Sequence, residues 1–210
     1  MSPLATAVEK QGLAAEFGAV VPSGVPATHT IGLLTAATWQ ASHTYALGNY
    51  VIPVTDFAGR APATLGRVFK CTTAGTSAAA EPTWPSTAAG TVTDGTVVWT
   101  EISTEMATGT VTAVGSLEQA GSGYSRPTVV NNGTNWVLQT GGDPASVLNL
   151  ADLAFGTTTA AWEQIIGGVV YDAVPTNVRA WGLLDTPSTV AAGVGVAVIV
   201  PAGQFAVTLV

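Results

Sequence analysis

The chain has 210 residues, of which 47% are hydrophobic and only 9% are charged, and its formal net charge is −7. Binding to nucleic-acid phosphates needs clustered Lys and Arg side chains, so six basic residues in an acidic chain argue against a nucleic acid partner. The longest apolar run, 190–200, contains two glycines and ends at Pro201. It is too short for a transmembrane helix of about 20 residues, and we expect no membrane insertion.

One short helix is expected near the start of the chain. Apolar residues between Leu4 and Phe17 fall roughly on one helical face, and Gly18 ends the pattern. The first ten residues contain no basic segment followed by an apolar core, which indicates that there is no signal peptide and that synthesis is cytoplasmic. After a stretch rich in Pro and Gly, residues 29–35 have the pattern of a buried strand.

The stretch 39–101 is the most informative part of the sequence. It holds three of the six Trp and two of the four Tyr residues. Turn residues separate its short apolar segments, and Asp94-Gly95 is interpreted as a hairpin turn because glycine tolerates a positive φ. The turns are at 46–49, 58–59, 73–75 and 94–95. This spacing predicts a small all-β module.

The rest of the chain also has the pattern of a β protein. Residues 101–115 are either an edge strand or a linker that returns from the module. Seven short strands are predicted beyond them, at 125–130, 135–139, 147–155, 165–172, 178–184, 194–200 and 206–210. Together these segments predict a mainly β protein, with an antiparallel β-sandwich or jelly-roll-like domain that has a short N-terminal helix. This domain comprises residues 1–38 and 103–210, and the module, residues 39–102, is inserted in one of its loops.

The sequence gives little support for catalysis. Its only two histidines, His29 and His43, lie in no pattern of metal ligands or of an activated nucleophile. Pairs of acidic residues occur, but nothing marks one as a general acid and the other as a nucleophile. The single cysteine, Cys71, is interpreted as a buried thiol on a strand. We expect no enzyme activity, no catalytic residues, no metal and no other cofactor.

The module resembles the short carbohydrate-binding-like modules of bacteriophage fibres and capsid decorations, which are similar in style to chitin- and cellulose-binding modules. Their pattern begins W-x5-Y-x2-G-x2-V and continues through a basic-aromatic-Lys-Cys-Thr strand, E-P-x-W-P and D-G-x-V-x-W. The corresponding segments here are 39–51, 67–72, 81–85 and 94–99. The loop 56–65 departs from the pattern, because it adds residues before the middle strand and so changes the expected shape of the binding face.

The rest of the chain is similar to small tail-fibre or head-decoration proteins of tailed bacteriophages. The shared features are a strand like 31–36, the sequence Gly-Tyr-Ser-Arg-Pro at 123–127, a Phe and Trp segment at 155–162, and Trp-Gly-Leu-Leu at 181–184. The resemblance implies a virion structural protein, namely a head decoration, head spike or tail-fibre subunit, with other capsid or tail proteins as partners. Location in the virion follows from the same resemblance.

Aromatic rings suit sugar binding because the apolar face of a pyranose stacks on the ring while polar neighbours pair with its hydroxyl groups. Trp84, which lies between two prolines, is the first candidate for glycan binding, followed by Tyr45, Tyr50 and Trp99. The alternative is that Trp39 and Trp99 are structural, since a module of this size needs aromatic residues for its own core.

The expected function is therefore adhesion, in which a virion structural protein displays the module to glycans on the host surface. Two alternatives stay open, a purely structural capsid or tail component and a glycan-active enzyme fragment. The C-terminal strands 194–200 and 206–210 are apolar on both faces, which predicts that a second subunit or a virion partner covers one face. A homo-oligomer is expected, and the phage resemblance favours a homotrimer.

Overall fold

The computed structural model describes residues 26–54, 67–102, 115, 117–139, 146–172, 177–190 and 195–208. This part of the chain is mainly β. It contains no element of helix, and none of its segments is a helix long and apolar enough to cross a membrane. The fifteen strands are β1 (Thr28–Thr38), β2 (Thr44–Tyr45), β3 (Tyr50–Ile52), β4 (Phe69–Thr73), β5 (Gly75–Thr76), β6 (Thr91–Asp94), β7 (Val97–Glu101), β8 (Thr128–Val130), β9 (Trp136–Gln139), β10 (Ser146–Asn149), β11 (Leu153–Thr157), β12 (Gln164–Asp172), β13 (Val178–Ser188), β14 (Ala197–Val200) and β15 (Ala206–Thr208).

Eight strands form one large sheet, in the order β13-β12-β1-β3-β4-β7-β6, with β8 also paired to β1. Three smaller sheets contain β15-β10-β9, β11-β14 and β2-β5. Neighbouring strands are antiparallel except for β1 and β3, which pair in parallel where Ala37 and Thr38 lie opposite Val51 and Ile52. The large sheet is therefore mixed, whereas the described strand pairs within residues 1–38 and 103–210 are all antiparallel.

The strand β1 connects the predicted module with the rest of the chain. Its first three residues pair with β8, and residues 29–36 pair with β12 on the other edge. Its last two residues pair with β3. Nearly all of its positions from His29 to Ala36 are buried, as expected for a strand covered on both faces. The large sheet thus continues across residue 39, where the sequence predicts the start of the module. The boundary itself stays a prediction.

Buried side chains form three clusters, two of which lie on opposite faces of β1. The body cluster contains Ile31, Leu33, Val129, Trp136, Val147, Leu153, Phe155, Trp162, Val170 and Val198. The shared cluster joins both predicted parts of the chain and contains Leu34, Ala36, Ile52, Val68, Ile102, Leu117, Ile166, Val169 and Tyr171. The module cluster contains Trp39, Tyr45, Val51, Phe69, Cys71, Val97 and Trp99. The predicted burial of the Cys71 thiol is thus confirmed.

The structure tests several of the predicted strands and turns. The single strand predicted at 147–155 is wrong, because β10 and β11 are separated at residues 150–152. The chain turns there because the side-chain amide nitrogen of Asn149 donates to the backbone carbonyl oxygens of Ala151 and Pro201, at 2.8 and 3.1 Å. The turns at Gly48 and Gly95 are confirmed, with φ values of 89° and 63°. The predicted N-terminal helix, the loop 56–65 and most of 101–115 lie outside the described residues.

Candidate functional site

Two of the aromatic candidates lie inside the module cluster. Trp99 is fully buried and Tyr45 is 4% exposed, and their ring centroids are 4.8 Å apart in an edge-on arrangement. The Tyr45 hydroxyl oxygen accepts a hydrogen bond from the Gln40 backbone at 2.8 Å. Burial raises the pKa of Tyr45, so this hydroxyl stays protonated. The burial of Trp99 and of Trp39 agrees with the structural role weighed for both from the sequence.

The buried carboxylate of Asp94 connects these tryptophans. One of its oxygens accepts from the indole nitrogens of Trp39 and Trp99, at 2.7 and 3.1 Å. The other oxygen accepts from the backbone nitrogen of Ala78 at 2.8 Å. Asp94 is only 2% exposed, and these three donors compensate for the water that its charge has lost. From the sequence, Asp94 was assigned to a hairpin turn and to the D-G-x-V-x-W segment, without a role for its carboxylate in the core.

Trp84 packs on the module cluster from a loop. It is half-buried, and its ring centroid lies 4.3 Å from that of Phe69 and 6.1 Å from that of Trp99. Its indole nitrogen donates to a Glu81 carboxylate oxygen at 2.8 Å, and the same oxygen accepts from the Val54 backbone nitrogen at 2.7 Å. These contacts fix the ring against the module core. Sugar binding by Trp84 stays a prediction.

A cleft of about 380 Å³ lies where the module meets the rest of the chain. Tyr45 and Tyr50, two of the four predicted candidates, line it, whereas Trp84 and Trp99 are not among its described lining residues. Four separate parts of the chain contribute its walls. The lining residues are Thr35, Ala36, Ala37, His43, Tyr45, Gly48, Asn49, Tyr50, Leu117, Glu118 and Glu163.

Three exposed polar side chains reach this cleft. The His43 ring meets the Tyr45 ring edge-on at a centroid distance of 4.7 Å, and the His43 backbone nitrogen donates a hydrogen bond to the Ser77 hydroxyl oxygen at 2.9 Å. The Asn49 amide oxygen accepts from the Ala46 backbone at 2.7 Å, which leaves the amide nitrogen as a hydrogen-bond donor. Glu163, which directly precedes β12, is exposed and has no partner in the described part of the chain.

In the wall of the cleft, the buried carboxylate of Glu118 accepts hydrogen bonds from four donor groups. It accepts from the hydroxyl groups of Tyr124 and Tyr171 at 2.6 and 2.8 Å, and from the Nε and a terminal nitrogen of Arg126 at 2.5 and 2.8 Å. The Glu118 side chain is only 3% exposed. The guanidinium of Arg126 pairs with this carboxylate, and the two hydroxyl groups satisfy its remaining lone pairs.

The same contacts determine the protonation of the network. Burial, followed by the hydrogen bond to Glu118, raises the pKa of both Tyr124 and Tyr171. The hydrogen bond to Glu118 also raises the pKa of Arg126. The Tyr124 hydroxyl oxygen accepts from the Leu33 backbone nitrogen at 3.0 Å, which ties the network to β1. The two tyrosine hydroxyl groups and the Arg126 guanidinium therefore keep their protons at neutral pH.

The sequence predicted the aromatic residues of the cleft but assigned no role there to its polar residues. Tyr124 and Arg126 were noted only as members of the Gly-Tyr-Ser-Arg-Pro segment, and Glu118 was not noted at all. The segment was a usable signal, since an Arg beside a Tyr in a chain with few charges invites a search for a carboxylate. No local signal marks Glu163, because the fold alone brings it to the cleft.

Neither a metal centre nor a known relative identifies the site. Across the described residues, no group of three or more His, Cys, Asp or Glu side chains is placed to hold a metal ion. No family model, no curated protein and no solved structure matches the chain.

Proposed function

We propose that the protein is a structural subunit at the surface of a bacteriophage particle, and that it binds host-surface glycans in the cleft between the module and the rest of the chain. The observation that carries this proposal is the meeting of Tyr45 and Tyr50 with the polar groups of His43, Asn49 and Glu163 around one cleft. The virion setting rests on the phage resemblance of residues 39–101 and of the flanking segments.

The chemistry of the cleft supports this proposal. Sugars present an apolar face and a ring of hydroxyl groups, so their sites combine aromatic carbon with a few placed hydrogen-bonding groups. The half-buried Tyr50 supplies the aromatic surface, and Asn49 and Glu163 supply a donor and an acceptor. The cleft volume of about 380 Å³ falls within the range of about 300–1,000 Å³ that is usual for ligand sites.

The proposed architecture is a β-sandwich, residues 1–38 and 103–210, with the module inserted in a loop. Its support is the body cluster, in which residues of β1 and β12 pack against residues of β10, β11 and β14. In this architecture the sandwich attaches to other virion proteins and presents the module outward. The protein acts by adhesion and not as an enzyme.

The first prediction concerns Tyr50. Replacing it by Ala is expected to weaken glycan binding at least tenfold, because the loss of about 1.4 kcal/mol of ring contact is a factor of ten in affinity. Tyr50→Phe keeps the ring and is expected to stay within about threefold of the native protein. A glycan array identifies the ligand, and isothermal titration calorimetry of the whole chain then measures the affinity of each variant.

Trp84→Phe is the matched control, because it changes an aromatic residue outside the cleft lining and keeps packing against Phe69. Circular dichroism checks that every variant folds. If Trp84→Phe abolished binding and Tyr50→Ala did not, the site would lie at Trp84. If the folded native chain bound no glycan on the array, the purely structural alternative would replace the adhesion proposal.

A second prediction concerns assembly through the C-terminal strands. A second cleft, of about 670 Å³, lies between β12, β13 and β14, and two of its lining residues, Leu184 and Ile199, are 39% and 49% exposed. We expect a homo-oligomer, with a trimer favoured, in which this apolar surface is buried. Light scattering at micromolar concentration should therefore report an oligomer, and Ile199→Asp should dissociate it.

The residue replaced in this experiment must lie outside the core of the single chain. Val198 is 8% exposed and belongs to the body cluster, so Val198→Asp would unfold the single chain and would not test assembly. Leu47→Asp is the control, since Leu47 is 70% exposed and lies in a turn of the module, away from the C-terminal strands. A native chain that stays monomeric at this concentration would contradict the prediction.

A further inference from the structure

A straight row of side chains begins at the cleft and crosses four neighbouring strands. Tyr50 on β3 lies opposite Lys70 on β4, Lys70 lies opposite Thr100 on β7, and Thr100 lies opposite Thr91 on β6. Residues directly opposite each other in a sheet point to the same face. Tyr50, Lys70 and Thr100 are half-exposed and Thr91 is exposed. The row therefore lies on the partly exposed face opposite the module core, beside the buried Ile52, Val68 and Ile102 of the shared cluster.

The other face of the same strands is the module core. Val51, Phe69 and Trp99, which alternate with the members of the row along their strands, are all fully buried in the module cluster. Packing of this second face fixes the register of the four strands. The row is therefore held in a fixed order on a rigid sheet, and its members need little rearrangement to bind a ligand.

The chemistry along the row changes from aromatic to hydroxyl. The Lys70 ammonium lies 5.8 Å from the centroid of the Tyr50 ring, where the π electrons attract it. The Thr100 hydroxyl group is 3.0 Å from that of Thr72, so a second hydroxyl group extends the polar track at this point. A ring, an ammonium group and a series of hydroxyl groups match the repeated faces and hydroxyl groups of a sugar polymer.

From this row we infer that the ligand is an extended polysaccharide chain, which begins in the cleft at Tyr50 and runs across the strands to Thr91. Neighbouring strands lie about 4.8 Å apart, so the four strands give the row a length of about 14 Å. A row of this length accommodates several consecutive sugar units. A terminal sugar or a disaccharide would occupy the cleft end alone.

The inference rests on the proposed glycan binding, and a series of ligand lengths separates the two. Calorimetry of the whole chain would use β-1,4-linked oligomers of glucose and of N-acetylglucosamine, from two to six units long. Affinity is expected to rise by about tenfold between the dimer and the tetramer and then to level off, because each further hydrogen bond along the row adds a factor of a few.

Variants along the row sharpen the test. Thr91→Ala is expected to lower the affinity for the hexamer about fivefold and to leave the affinity for the dimer unchanged, since Thr91 lies at the far end of the row. Tyr50→Ala should weaken the binding of every length. Thr83→Ala is the matched control, an exposed threonine of the module outside the row, and should bind all lengths like the native chain.

Each outcome decides the inference. Dimer and hexamer that bind equally well, or an equal loss for both in Thr91→Ala, would overturn the polymer track and leave the proposed glycan site standing. Failure of every length of both oligomers to bind would overturn the track, and the glycan array of the native chain then decides the proposed function separately. A length-dependent gain that disappears only in the row variants is the result that the inference requires.

Discussion

Replacing Asp94 by Ala is expected to cost about 4 kcal/mol of unfolding free energy, because it leaves two buried donors and one partly buried donor without an acceptor, at about 1–3 kcal/mol for a buried one. The donors are the indole nitrogens of Trp39 and Trp99 and the backbone nitrogen of Ala78. Whole domains are stable by only about 5–15 kcal/mol, so this change should unfold the module or bring it close to unfolding. Urea denaturation followed by tryptophan fluorescence measures the loss.

Asp152→Ala is the matched control for this experiment. The exposed Asp152 carboxylate accepts one hydrogen bond, from the Ala202 backbone nitrogen at 2.9 Å, so its removal should cost about 1 kcal/mol or less. Asp94→Asn is expected to fall between the two, since the amide keeps one acceptor oxygen and places a donor where the carboxylate accepted. A native-like stability of Asp94→Ala would show that water replaces the carboxylate and that the module core is less closed than the contacts indicate.

Replacing Glu118 by Ala is expected to be as severe, at about 3–5 kcal/mol, the cost of removing one partner from a buried ion pair. The change leaves the partly buried Arg126 guanidinium and two tyrosine hydroxyl groups without their acceptor. Because Leu117 and Glu118 line the cleft, the variant should also lose glycan binding as the wall relaxes. Urea denaturation and calorimetry measure the two effects.

Glu163→Ala distinguishes this role of Glu118 from the simple loss of a carboxylate beside the cleft. Glu163 lines the same cleft but is exposed and has no partner in the described part of the chain, so its removal should change stability by less than about 0.5 kcal/mol. Ultraviolet titration of tyrosine in Glu118→Gln gives a second readout. The hydrogen bond to Glu118 raises the pKa of Tyr124 and Tyr171, so both should fall in this variant.

The shared cluster bears on how independent the module is. Ile52 and Val68, from the predicted module, are 1% exposed or less and pack in one cluster with Leu34 and Ile166 of the flanking chain. Removal of the module would expose Leu34 and Ile166 to water, at a free-energy cost of about 25 cal/mol for each Å² of apolar surface. Insertion into a loop therefore does not imply that the two parts are energetically separate.

Where local chemistry decides the structure, the sequence by itself determined it. The turns at Gly48 and Gly95 follow from positive φ values that glycine adopts without strain. The predicted strand 165–172 coincides with β12 to within one residue, because its apolar run is bounded by polar or turn residues on both sides. The burial of Cys71 and of the aromatic residues Trp39 and Trp99 likewise follows from their apolar neighbours and from the small size of the module.

Only the tertiary structure decided what the cleft and the buried networks contain. Glu118 meets Tyr171 across 53 residues, and Trp39 meets Asp94 across 55, so no window of sequence holds both partners. The parallel pairing of β1 with β3 likewise depends on which edges remain available after β12 has paired with β1. Periodicity and turn residues indicate which face of a segment is buried, whereas the packing of the whole chain decides which residues lie across that face. The sequence therefore predicted the aromatic residues of the cleft, but not the polar residues that lie beside them.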